Sequence, residues 1–312
     1  MLSNFIKFVE DNRLKVESII ITIDGVKFEH YFTSAAKVNV RSISKILSCL
    51  GVQKAIERNL LTLESNVMQF FGDANIHNAG NLPYLRQLKI KHLLTFTMGH
   101  EIGLLFKEDI ERLPPETDFV NYVLNYDIKH EPGSFFVYTN AATYLLCAIV
   151  QKLTGKCFND WAHETVLQHL DIEKPEWETS NQGVSLGACG LYLTNAELHR
   201  IGLMFLNNGR YGDRQIIDSS WIDEMRSPQI FTAHLAKYSE RQTRCLNKMA
   251  YGYHLWICGD GSSKYPKTHY FVAGADGKFF IISPKQKMAI TILSHQEDTN
   301  PFYEILSDYL KY

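Results

Sequence analysis

The chain has 312 residues, of which 45% are hydrophobic, 21% charged and 12% aromatic, a globular profile long enough for two domains or for one large domain with an insertion. Its 32 basic and 34 acidic side chains leave a formal net charge of −2, so no overall field favours nucleic acid or an anionic membrane surface, and a small or neutral substrate fits better. Disordered and fibrous classes are excluded by the same numbers.

The first element, within MLSNFIKFVEDNR (Met1 to Arg13), carries apolar Phe5, Ile6, Phe8 and Val9 at helical spacing. Charges interrupt it too often for a signal-peptide core, and no apolar run along the chain approaches the ~18 residues needed to span a bilayer. Cytoplasmic residence is the expectation. Residues 18 to 33 read as two strands joined at Asp24-Gly25. From Ser42 the spacing turns helical, and helical patterns with polar, Pro-bearing connections continue to about residue 180. Beyond Gly190 the pattern predicts helices over Asn195 to Asn207 and near Asp218 to Arg226. Strands follow at YGYHLWIC, KFFIISP and KMAITILSH, then a helix over Pro301 to Leu310. The charged stretch Thr232 to Lys248 reads as a surface loop or lid. The six cysteines (Cys49, Cys147, Cys157, Cys189, Cys245, Cys258) form no C-x-x-C pair and read as reduced structural thiols.

Strands at both ends with helices between them predict an α+β fold. One antiparallel sheet is built from both termini (residues 1–50 and 181–312), and a mainly helical region (51–180) is inserted, with the site expected in the cleft between them.

Ser42-Ile43-Ser44-Lys45 sets a hydroxyl and an amine three residues apart at the start of a helix, on one face. A serine hydroxyl needs a neighbouring base, and a desolvated lysine has its pKa lowered enough to act as one. The helix N-terminus favours an oxyanion beside Ser42. Alone, S-x-x-K is a weak signal, because a serine that begins a helix is usually its N-cap.

The surroundings strengthen it. VRSISKILSCLGVQKAIERNLLTLESNVMQFF looks like a nucleophile helix followed by a "G-x-L-x-L-x-x-x-V" continuation, with Asn59 where glycine is usual. KIKHLLTFTMGH is similar to "HLLTHTSG", with Phe96 and Met98 replacing His and Ser. EPGSFFVYTNAATYLLCAIVQKLTG matches "PG-x-x-x-x-Y-S-N", and CGLYLTNAELHRIGLMFLNNG matches "GGL-x-x-T-x-x-D-L". Over nearly its whole length the sequence resembles the class C serine β-lactamases, the related D-amino-acid peptidases and carboxylesterases, and the low-molecular-weight penicillin-binding proteins.

That resemblance implies roles for further residues. Tyr138, polarised by Lys45, would be general base toward Ser42 and general acid toward the leaving group. Asn140 would hydrogen-bond Lys45 and the substrate carbonyl. Gly274 would let backbone approach the substrate, and the Ala275 N–H would join that of Ser42 as the oxyanion hole. Plainer readings stand beside these: Tyr138 as a half-buried aromatic, and Asn140 as a helix N-cap.

The family's K-T-G motif falls on Val272-Ala273-Gly274, without the basic and hydroxyl side chains that grip a substrate carboxylate. The segment resembles the "A-x-G-x-x-G-Q" form of 6-aminohexanoate-dimer hydrolases, with Lys278 at the Gln position. The expected enzyme is therefore a serine hydrolase forming an acyl-enzyme on a neutral ester, amide or short peptide. The alternatives are a non-catalytic descendant that binds a ligand, and a true β-lactamase or D,D-peptidase.

Two rival motifs fail on context. Gly183-Val184-Ser185-Leu186-Gly187 matches G-x-S-x-G but lacks the buried strand before it and the helix after it, and so reads as a glycine-rich loop. His163-Glu164 and His169 have the wrong spacing for a zinc helix. His100, His269 and His295 flank motif regions but are assigned no role. Nothing implies a metal or cofactor.

Overall fold

Strand-forming, β-branched stretches near both termini assemble into one sheet, while the middle of the chain has too few such runs to join it. The computed structural model describes residues 1–232, 246, 248–259 and 269–310. The predicted loop or lid over Thr232 to Lys248 lies, apart from its two ends and Leu246, outside the described residues. The chain divides into two compact units. One comprises Met1–Ile43, His169–Ile172 and Leu191–Tyr312, and the other Ser44–Gln168 and Glu173–Gly190. The sequence reading set its boundaries instead after residues 50 and 180.

The first unit holds every strand among the described residues: β1 (Val16–Ile23), β2 (Val26–Tyr31), β3 (Val38–Asn39), β4 (Tyr192–Leu193), β5 (Arg210–Tyr211), β6 (Arg214–Gln215), β7 (Ile230–Phe231), β8 (Ala250–Tyr251), β9 (Trp256–Cys258), β10 (His269–Gly274), β11 (Lys278–Ser283) and β12 (Met288–Ser294). Eight of them form an antiparallel sheet in the order β2-β1-β12-β11-β10-β9-β8-β7. The predicted hairpin at Asp24-Gly25 joins β1 to β2, and the N- and C-terminal strands β1 and β12 pair directly.

Strands β11 and β12 are buried at every position, so both sheet faces are covered. Neighbours on β11 show by what. Phe280 meets Phe205 of the helix Asn195–Leu206 edge-on at 5.6 Å, whereas Phe279 points the other way onto Phe302 of the helix Asn300–Tyr309 at 5.5 Å. The result is a helix–sheet–helix sandwich. The helix Asn195–Leu206 starts with a capping box between Thr194 and Glu197 and is pegged to the sheet by polar side chains. His199 bridges Thr22 Oγ1 (2.8 Å) and Thr291 Oγ1 (3.0 Å), and Asn195 Nδ2 donates to Ser18 Oγ at 3.0 Å.

One predicted strand is corrected. YGYHLWIC is two short strands, β8 and β9, folded back on each other. His254 between them has φ +56°, and Gly252 lies where a Cβ would fall 1.9 Å from the Met225 carbonyl. A left-handed residue and a backbone that close to its neighbour interrupt the extended run.

The second unit is built on the helix Ser44–Glu57, in which every residue from Ser44 through Gln53 is buried, so that all its sides are covered. Such a helix belongs at the centre of its neighbours. The helices Ala141–Thr154 and Phe158–Thr165 pack on it, and Trp161 Nε1 donates to the Gly51 carbonyl at 2.9 Å. Among the described residues no helix is long and apolar enough to cross a membrane.

Candidate active site

Lys45 lies in the first turn of the central helix and is fully buried. Its Nζ donates to Asn140 Oδ1 at 2.8 Å and to the Ala188 carbonyl at 3.2 Å, and sits 4.9 Å from the centre of the Tyr138 ring. Desolvation disfavours the ammonium and lowers its pKa from 10.5 to about 7, with Cys189 acting weakly in the opposite direction. The amine is thus poised to give or take a proton near neutrality.

Two loops and one side chain at a helix start supply its surroundings. The first carries Tyr138. Gly133 N and Val137 N donate to the carbonyls of Thr97 and Phe96 at 2.8 and 2.9 Å, and Thr139 Oγ1 accepts from Leu104 N at 3.0 Å. A Cβ on Gly103 would fall 2.2 Å from the Tyr138 carbonyl, so only glycine lets these strands of backbone touch. The half-buried Tyr138 ring meets Phe96 edge-on at 5.3 Å and stacks near Phe106 at 6.4 Å.

The second feature is Asn140. It occupies the N-cap position of the helix Ala141–Thr154, but its side chain makes no capping bond. The oxygen accepts from Lys45, and Nδ2 donates to the Leu105 carbonyl at 3.0 Å. The plain capping reading of Asn140 therefore does not describe its side chain.

The other loop is the glycine-rich stretch at Gly183–Gly187. Ser185 is fully buried and bridges back to Thr179, with no strand-to-helix elbow. The loop packs tightly, since a Cβ on Gly187 would meet Cys147 Sγ at 2.6 Å, and Ser48 Oγ holds the Gly187 carbonyl at 2.9 Å. Its next residue presents the Ala188 carbonyl to Lys45.

In the first unit, half-buried Ser42 occupies the 3₁₀ turn Arg41–Ile43, which packs on β10 and β11 and leads directly into the helix that begins at Ser44. Gly274 ends β10 beneath that turn. A Cβ there would stand 3.0 Å from the Val40 carbonyl and 3.1 Å from Arg41 Cβ. Ala275 follows, exposed. Lys278 is buried and donates to the Ser294 carbonyl at 2.6 Å; burial lowers its pKa to about 8.

The structure thus gathers Lys45, Tyr138 and Asn140 in one unit, and Ser42, Gly274 and Ala275 in the other. Sequence reasoning missed three things here: the aromatic setting of Tyr138, the Ala188 carbonyl, and an ion pair from Arg41 to Asp276. Of the histidines without a role, His269 hydrogen-bonds Ser283 at 2.9 Å, His100 packs on Tyr126, and His295 lies 3.4 Å from Glu17. Among the described residues no three His, Cys, Asp or Glu side chains gather as a metal-holding group.

A family model described as beta-lactamase matches residues 32–311, and the chain belongs to the beta-lactamase family. Solved structures share its fold. A 6-aminohexanoate-dimer hydrolase candidate from Bacillus anthracis is 21% identical, with 97% of this chain and 79% of that one covered, at a TM-score of 0.73. A candidate beta-lactamase from Bacteroides dorei is 16% identical over 99% and 97% of the two chains, at a TM-score of 0.78. EstCE1, a hydrolase with promiscuous acyltransferase activity, is 15% identical over 98% and 96%, at a TM-score of 0.75. At such identities the likeness is one of fold, the hydrolase fold of this family.

Proposed function

We propose that the protein is a serine hydrolase that forms an acyl-enzyme on a neutral ester, amide or short peptide. Ser42 attacks the carbonyl, and its proton passes to the Lys45–Tyr138 pair. Tyr138 returns the proton to the leaving group, and water then releases the acyl group by the same route in reverse. Asn140 orients Lys45 and the substrate carbonyl, and the N–H groups of Ser42 and Ala275 stabilise the oxyanion. The observation that carries this reading is the buried Lys45 amine, held by Asn140 and Ala188 against the Tyr138 ring, with a pKa of about 7. A binding protein has no chemical use for a desolvated amine beside a phenol.

Substrate neutrality follows from Val272-Ala273-Gly274, which offers no cation or hydroxyl for a carboxylate. Activity in the reducing cytoplasm suits the six scattered cysteines, which form no C-x-x-C pair. A fluorophosphonate probe with intact-mass detection tests the mechanism. The expected result is one label, at Ser42, lost in Lys45→Ala and Tyr138→Phe. A folded protein that takes no label establishes the ligand-binding alternative instead. Among p-nitrophenyl esters, nitrocefin and D-alanyl peptides, the esters should turn over fastest; nitrocefin in first place would make the protein a true β-lactamase.

A further inference from the structure

Each backbone N–H of the proposed oxyanion hole has a charged residue next to it in the chain. Arg41 precedes Ser42, and Asp276 follows Ala275. Both charged residues have left-handed backbone, with φ of +54° and +60°, a conformation that is costly for a long side chain such as arginine. The Ser42 N–H belongs to the Arg41–Ser42 peptide, so the dihedrals of Arg41 set the direction in which it points. Strain of this kind persists only where the surroundings enforce it. Here Arg41 N donates to Asn39 Oδ1 at 2.9 Å, and Arg41 Nε and Nη2 both donate to Asp276 Oδ2 at 2.9 Å. Beneath the pair, Gly274 lets the turn rest on β10 with 3.0 Å between the Val40 carbonyl and the position of a Cβ. Lys278 supports the carboxylate from the buried side, its Nζ 3.8 Å from Asp276 Oδ2.

We propose that the Arg41–Asp276 pair is a positioning clasp that holds the Ser42 and Ala275 N–H groups at the spacing an oxyanion requires. This inference rests on the reading of Ser42 as nucleophile. The side chains of Arg41 and Asp276 are 43% and 27% exposed, so their pairing contributes little to global stability. Its effect falls on geometry instead: donors must lie within hydrogen-bond reach of the developing oxyanion, and small misplacements lower the rate steeply.

The test uses the full-length protein and the variants Arg41→Gln, Asp276→Asn, the double variant and Arg41→Lys. The readouts are the rate of fluorophosphonate labelling at Ser42, kcat and KM on a p-nitrophenyl ester, and the melting temperature. Each neutral single variant should lower the labelling rate and kcat about 10- to 100-fold, with KM within about twofold and the melting temperature retained. The double variant should be no worse than the worse single, because the two residues act as one unit, and Arg41→Lys should recover part of the loss. Singles within twofold of wild type, single losses that multiply in the double, or losses that track a fallen melting temperature would each overturn the clasp while leaving the hydrolase reading intact. A wild-type protein that is never labelled at Ser42 overturns both.

Discussion

Replacing Lys45 with methionine keeps an unbranched side chain of similar length in a fully buried helix position and removes only the amine. In the native protein burial lowers the Lys45 pKa from 10.5 to about 7. Across that window the unfolded chain binds a proton that the folded protein lacks, so the stability of wild type rises with pH by about 1.4 kcal/mol per unit. Below pH 7 both states are protonated and the penalty is constant, at about 5 kcal/mol. The variant has no such dependence. Methionine also orphans Asn140 Oδ1 and the Ala188 carbonyl, at about 1–3 kcal/mol each, but that cost does not vary with pH. All other titrating groups are common to the two proteins and cancel in the comparison. From pH 7 to 9.5, wild type should therefore gain about 3 kcal/mol on Lys45→Met. Urea unfolding of both proteins at several pH values, followed by tryptophan fluorescence, measures the difference. A difference that stays flat over this range would refute the argument that Lys45 is neutralised by burial. The same pKa requires Ser42 labelling in wild type to rise with pH and level off above about 7.

Two further outcomes follow from single side chains. Tyr138→Phe keeps the ring that packs on Phe96 and lies beside Lys45 but lacks the phenol; ester turnover should fall about 10²- to 10⁴-fold with a melting curve close to wild type, and retained turnover would remove Tyr138 from the proton path. Burial of His199 lowers its pKa to about 4 from 6.5, so its unfolded form takes up a proton first as pH falls, and stability is lost between those values by about 3 kcal/mol. His199→Gln should flatten that part of the acid-unfolding profile, which urea midpoints between pH 6.5 and 4 would record.

Both terminal strand pairs and the flanking helices were legible because each carries a strong period: alternation and β-branching in SIIITI and KMAITILSH, and 3.6-residue spacing in Asn195–Leu206. YGYHLWIC misled for the same reason. Its apolar content matches a buried strand, while the break at Gly252 and His254 comes from the approach of Met225, which no local pattern records. Lys45 and Asn140 were legible as residue types in motifs. The Ala188 carbonyl was not, because a backbone acceptor has no letter of its own and the loop that presents it was recognisable only as a place where G-x-S-x-G does not make an elbow.

Arg41 shows a further limit. An arginine beside a serine in a sequence reads as a solvated charge, and 235 residues separate it from Asp276. What makes the pair informative is backbone conformation: left-handed φ at both ends of one ion pair, each end one residue from a proposed oxyanion donor. The same logic applies to Lys45, whose acceptors come from two separate loops that glycines allow to pack closely. A desolvated amine is stable in the native state only if those acceptors are in place before any substrate arrives. The order of the loops around Lys45 is therefore fixed by the cost of burying its amine, and its hydrogen bonds to Asn140 and Ala188 are made by folding.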